Sequence, residues 1–214
     1  MTNKTTLHQG MPVLTAGASL KQAKAAMILL HGRGASAEDI LTLTQEFDHP
    51  DFAYLAPQAA DSQWYPNRFI APLASNEPWF SAAITKVASV LAQINAANIA
   101  VENVFLLGFS QGACLALEFA ARHPQPYGGV IALSGALIEN GDKPRDYPGS
   151  LAGTPTFLGC SDVDFHIPAG RVERSAKILQ QLGASVTLRL YPNMGHTVNQ
   201  DEIEFVQTMM QTLH

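Results

Sequence analysis

The sequence predicts an α/β fold: a mostly parallel, doubly wound sheet of about seven strands with helices on both faces. Three observations predict it. Short apolar runs recur along the chain, and most are followed by a segment of helical periodicity. Those runs are apolar at nearly every position, as strands covered on both faces are. The 214 residues, 47% hydrophobic and 14% charged, carry enough apolar surface to cover such a sheet as one domain over 1–214.

Each element has its own local reason. "MPVLTAG" (11–17) reads as an edge strand, and "KAAMILLHG" (24–32) as an inner strand ending in a glycine turn. Over 36–47, Ser36 can cap a helix with Asp39 three residues on, and Ile40, Leu43 and Phe47 share a face. "DFAYLAP" (51–57) is a strand stopped by Pro57. After a polar loop, 78–98 is a long helix with Pro78 at its start. Then follow a strand at 103–109, a helix at 111–124 ended by Pro124, and a strand at 128–135. An irregular Gly/Pro/Asp-rich stretch covers 136–154. A strand at 155–160, a helix at 168–183, a strand at 185–192 and a helix at 198–214 complete the chain. No segment is long enough to form a large lid domain.

Composition excludes several classes. Net charge is −5 and the 13 basic residues are scattered, so nucleic acid is not an expected partner. No apolar run approaches the roughly 20 residues of a membrane span, and the start of the chain lacks the apolar core of a secretory signal, so no stable membrane insertion is expected. Cys114 and Cys160 form neither a CxxC pair nor a disulfide framework and read as two buried thiols of a cytoplasmic protein.

In a sheet of this kind ligands bind beyond the carboxyl ends of the strands, and those loops hold the chemistry. After the 103–109 strand comes Gly108-Phe109-Ser110-Gln111-Gly112. A G-x-S-x-G between strand and helix is a nucleophile elbow, a tight turn that lifts a serine hydroxyl above the sheet. Ser110 is therefore the candidate nucleophile, and the N–H of Gln111 faces negative charge developing beside it. Without those surroundings, Ser110 would be an ordinary turn residue.

A serine needs a base to become nucleophilic. His8, His49, His123 and His214 sit at termini or element junctions and read as surface residues. His196 stands in "YPNMGHT", past a strand end and before the last helix, where the order Ser–acid–His expects it. His166 could compete but precedes the helix of the acid loop. Between Ser110 and His196, "FLGCSDVDFHIP" offers two acids. Asp162 lies closer to the strand end and is preferred; Asp164 is the alternative. A second oxyanion donor is expected from the glycine-rich loop "HGRGAS", through the N–H of Arg33.

"LLHGRGASAEDI", "LLGFSQGA", "GCSDVDFHIP" and "YPNMGHT" together resemble the phospholipase/carboxylesterase group of α/β-hydrolases, which includes acyl-protein thioesterases. The resemblance covers roughly residues 24–212. It implies an α/β-hydrolase fold and a serine esterase or thioesterase with no metal and no organic cofactor. By position it also implies Ser110 as nucleophile, His196 as base, and Arg33 and Gln111 as oxyanion donors. Members often carry Leu where this chain has Arg33. Their acid loop commonly reads G-x-x-D-x-x-V-P, and here Gly159 points to Asp162 while Pro168 points to Asp164.

The substrate wall is expected from the 58–77 loop, whose Trp64, Tyr65 and Phe69, followed by Trp79 and Phe80, could line an acyl or aryl pocket or simply anchor the loop. A shallow, open site for a small or flexible ester or thioester is the expectation. Two other readings use the same residues: a catalytically silent module that binds a ligand, and an acyltransferase or perhydrolase. The apolar surround of an open site could also pair two copies into a homodimer.

Overall fold

The computed structural model describes residues 7–47, 49–141 and 145–211. Seven strands form one sheet in the order β1-β3-β2-β4-β5-β6-β7. They are β1 (Val13–Gly17), β2 (Ala25–Leu30), β3 (Phe52–Pro57), β4 (Val104–Phe109), β5 (Gly129–Leu133), β6 (Pro155–Ser161) and β7 (Ser185–Tyr191). Only β1 runs antiparallel, pairing Val13 with Pro57 at the sheet edge. All other neighbours are parallel, so β2 to β6 end on the same side.

The helices are α1 (Ala37–Leu41), α2 (Trp79–Ala96), α3 (Gln111–Arg122), α4 (Ala169–Gln181) and α5 (Gln200–Met210). Alternate strand residues divide the core in two. Ala26, Ile28 and Leu30 face α2, α3 and α4, whereas Ala25, Met27 and Leu29 face α1 and α5. Strands β2 and β3 are buried at every position, which explains why their sequence shows no polar alternation.

Two helices depart from the expected bounds. The Ser36/Asp39 capping box forms, but α1 passes after Leu41 into a 3₁₀ turn over Thr42–Gln45. The hydroxyls of Thr42 and Thr44 donate to the carbonyls of Asp39 and Leu41, competing locally with a regular helix. The expected last helix is α5, and the end of that expectation, His214 included, lies outside the described residues. The irregular stretch after β5 is tied to α3 through Glu118. This fully buried carboxylate accepts from Arg122, Arg145 and Tyr147.

Candidate active site

The elbow between β4 and α3 is strained where it must be. Ser110 sits at φ 55°, ψ −118°, a conformation a side chain adopts only under constraint. Its N–H donates to the carbonyl of Leu133 at 2.9 Å, and its carbonyl accepts from Cys114 N at 3.1 Å. The flanking glycines are a packing requirement. A Cβ on Gly108 would fall on the backbone of Gly112, and one on Gly112 would fall on the carbonyl of Leu30. The turn thereby presses α3 against β2 and leaves the Ser110 side chain standing in an open cleft.

His196 reaches that side chain from the loop after β7. Its Nε2 lies 2.9 Å from Ser110 Oγ, and its Nδ1 lies 2.6 Å from Asp164 Oδ2. The ring is held between Phe109 and His166, with centroids 5.0 and 4.7 Å away. Asp164 is buried, yet its carboxyl is held below the usual range. Burial pushes it up, but hydrogen bonds from His196 and from the N–H groups of Ile167 and His166 outweigh that effect.

The preference for Asp162 does not match the geometry. β6 runs to Ser161, and Asp162 N still donates to Tyr191 O, so Asp162 remains beside β7. Its carboxylate accepts from Asn193 N at 2.9 Å. Only after the chain turns does a carboxylate point back over the strand ends, and that carboxylate is Asp164. His166 stands exposed at the cleft rim, while His196 is the imidazole bonded to Ser110.

The glycine-rich loop after β2 is locked by a histidine that pattern reading passed over. Buried His31 donates from Nδ1 to the carbonyl of Gly32 at 2.7 Å, while its Nε2 accepts from Ala59 N at 3.1 Å. Burial lowers its pKa, which keeps it neutral and able to play both roles. The Gly32 carbonyl and the Arg33 N–H belong to one trans peptide and point in opposite directions. Anchoring the carbonyl therefore also aims the N–H. A Cβ on Gly32 would lie 3.4 Å from Ser110 Cβ, so the peptide passes close to the serine. Neither Arg33 N–H nor Gln111 N–H has an acceptor among the described residues.

The side chains of these same two residues hold the cleft wall. The Arg33 guanidinium donates to the carbonyls of Tyr65, Pro66 and Asn67 at 2.9, 2.6 and 2.6 Å. The Gln111 amide accepts from Trp64 N and donates to Tyr65 O, both at 2.8 Å. The wall so formed presents Tyr65 and Phe69 to a cleft of about 320 Å³. Trp64 does not line it. Its indole is fully buried and donates to His31 O at 2.9 Å, so it anchors the loop. His8 is likewise no surface residue. It is buried against Trp64 and Trp79 and accepts from Ala60 N.

A second, mostly apolar groove of about 430 Å³ opens on the other side of His196 and Phe109, lined by Ile40, Leu43 and Val198 among others. Cys114, at the base of the first cleft, and Cys160, behind Asp164, are both buried, and burial pushes each thiol up to about 12. Burial thus disfavours the thiolate, the reactive form, of both. Among the described residues no group of three or more His, Cys, Asp or Glu is arranged to hold a metal ion. No described helix is long and apolar enough to cross a membrane.

The profile of the phospholipase/carboxylesterase family matches residues 16–214. The chain belongs to that family. By family it is a hydrolase of the ester and thioester class. A solved phospholipase/carboxylesterase from Dyadobacter fermentans DSM 18053 superposes with a TM-score of 0.91 at 38% identity, covering 95% of this chain and 97% of that one. Among curated relatives, acyl-protein thioesterase 1 of Candida albicans is 27% identical over 88% of this chain and 94% of its own length. The probable carboxylesterase SOBER1-like of Arabidopsis thaliana is 25% identical over 88% of this chain and 78% of its own.

Proposed function

We propose that this chain is a serine carboxylesterase or thioesterase that hydrolyses small or flexible acyl or aryl esters through Ser110, His196 and Asp164. The reading is carried by the unbroken line of contacts from Ser110 Oγ through His196 to Asp164, 2.9 and 2.6 Å long. With Nδ1–H donated to Asp164, the free lone pair of Nε2 faces the serine hydroxyl and takes its proton as Oγ attacks the carbonyl. The oxyanion then forms against the N–H groups of Arg33 and Gln111, each of the kind that contributes about 3–4 kcal/mol to such a transition state. His196 returns the proton to the departing alcohol or thiol. Water, deprotonated by the same nitrogen, releases the acid from the acyl-enzyme.

The cleft volume of about 320 Å³ is at the small end for ligand pockets, which supports short acyl groups. The test combines fluorophosphonate labelling, read by intact mass, with a chain-length series of aryl esters and thioesters. The expected outcome is one label on the wild type, none on Ser110→Ala, and highest kcat/KM at the short end of the series. A Ser110→Ala protein that keeps most of its activity refutes the proposal.

A further inference from the structure

The arginines of this chain divide sharply. Of the seven, Arg122, Arg145, Arg171, Arg174 and Arg189 each pair with a carboxylate. Arg33 and Arg68 have no carboxylate partner among the described residues, and both line the cleft that holds Ser110. Among the described residues no Asp or Glu lines that cleft; Asp164 lies behind it, bonded to His196, and Asp39 lines the adjoining groove, bonded to Ser36 at the start of α1. Arg33 has its guanidinium filled by backbone carbonyls, which leave its charge uncancelled. Arg68 is exposed, and among the described residues its side chain makes one hydrogen bond, from Nη2 to the carbonyl of His166 at 3.3 Å, across the mouth between the cleft wall and the acid loop. Its remaining donors have no partner among the described residues. A protein of net charge −5 thus places its two arginines without carboxylate partners at the cleft that holds Ser110.

We propose that Arg68, supported by the field of Arg33, recognises an anionic oxygen group (carboxylate or phosphate) placed a few bonds from the scissile carbonyl. The cleft is small enough that an anion at Arg68 and a carbonyl at Ser110 belong to one short substituent. The opposite half of the substrate then lies in the apolar groove beside Ile40, Leu43 and Val198, on the far side of His196. The substrate class is an ester or thioester with one anionic and one apolar half. The inference rests on Ser110 being the nucleophile.

The test compares matched esters. One arm sets the mono-aryl ester of a short dicarboxylic acid against the neutral aryl alkanoate of equal length. A second arm sets a short acyl ester of a carboxylated phenol, and a third that of a phosphorylated phenol, against the ester of the corresponding neutral carboxamide phenol. In at least one arm the wild type should favour the anionic ester in kcat/KM by about tenfold, the scale of one charge contact in a wet cleft. That preference should shrink in high salt. Arg68→Gln should lower the anionic-to-neutral ratio about tenfold, and Arg68→Glu should invert it. The favoured arm identifies which half carries the anion and whether it is a carboxylate or a phosphate. Preference for the neutral ester in every arm, or a ratio that survives Arg68→Gln, overturns the proposal. Hydrolysis of the neutral esters, lost in Ser110→Ala, reports separately on the nucleophile and shows that the Arg68 variants are folded.

Discussion

Replacing Asp164 by Asn separates a catalytic carboxylate from a structural one. Asp164 makes two kinds of contact: Oδ1 accepts from His166 N and Ile167 N at 2.8 and 3.0 Å, and Oδ2 faces His196 Nδ1 at 2.6 Å. Asn keeps an oxygen for the two N–H groups, so the loop stays in place and stability changes by no more than about 1 kcal/mol. The amide NH₂ that replaces Oδ2 can only donate. It turns His196 into the tautomer with its proton on Nε2, facing Ser110 with a donor where a lone pair is required. The charge that would stabilise the imidazolium is lost as well. Together these should cost about 4–5.5 kcal/mol of transition-state stabilisation, a thousand- to ten-thousand-fold fall in kcat. Asp162→Asn is the control, since its oxygen still accepts from Asn193 N and kcat should stay within a few-fold. Steady-state kinetics on a short aryl ester, with melting temperatures alongside, measures both. If Asp164→Asn keeps more than a tenth of wild-type kcat, or Asp162→Asn is the more damaging change, the assignment of the acid is refuted.

Other substitutions probe the supports. Arg33→Met keeps the backbone N–H but removes four bonds to the cleft-wall loop; kcat/KM should fall at least about tenfold, with stability lower by about 1–3 kcal/mol in a denaturant titration. Glu118→Ala leaves Arg145 without its buried counter-charge and should destabilise by about 3–5 kcal/mol, read the same way. Glu202 is buried against Gly159, and burial raises its pKa from 4.5 to about 7, partly offset by the Asn199 N–H and reinforced by Asp201. The folded state therefore holds this proton more tightly than the unfolded state. Its contribution, up to about 3 kcal/mol, is full below pH 4.5 and is lost as pH rises through about 7. Unfolding midpoints at pH 5 and pH 8 should show this loss, and Glu202→Gln should flatten it.

The strands and most helices were legible because their signals are local. Runs such as Ala25–Leu30 are apolar throughout since both faces are covered, and Pro57 and Pro124 mark ends that only backbone chemistry sets. Ser110 and His196 were legible through position at strand ends. The choice between Asp162 and Asp164 was not, because it depends on where β6 stops pairing with β7, and two residues decide which carboxylate clears the sheet. Trp64 and Tyr65 are adjacent in sequence, yet one is an anchor and the other part of the wall. That difference comes from the bonds of His31, Arg33 and Gln111 across the fold, which no local pattern encodes. His31 itself could have been suspected from its place beside the glycines, where a peptide that passes close to Ser110 needs an anchor.

The clamp on the cleft wall reads the main chain. Arg33 and Gln111 grip Trp64 N and the carbonyls of Tyr65, Pro66 and Asn67, and the one loop side chain they touch is Gln63 at 3.4 Å. Of the cleft-lining side chains on this loop, Tyr65 and Phe69 are packed into the core, whereas Arg68 is exposed and can be exchanged while the grip is kept. A change at position 68 thus alters the rim of the cleft without loosening the main-chain clamp that ties this wall to the Arg33 loop and to the start of α3.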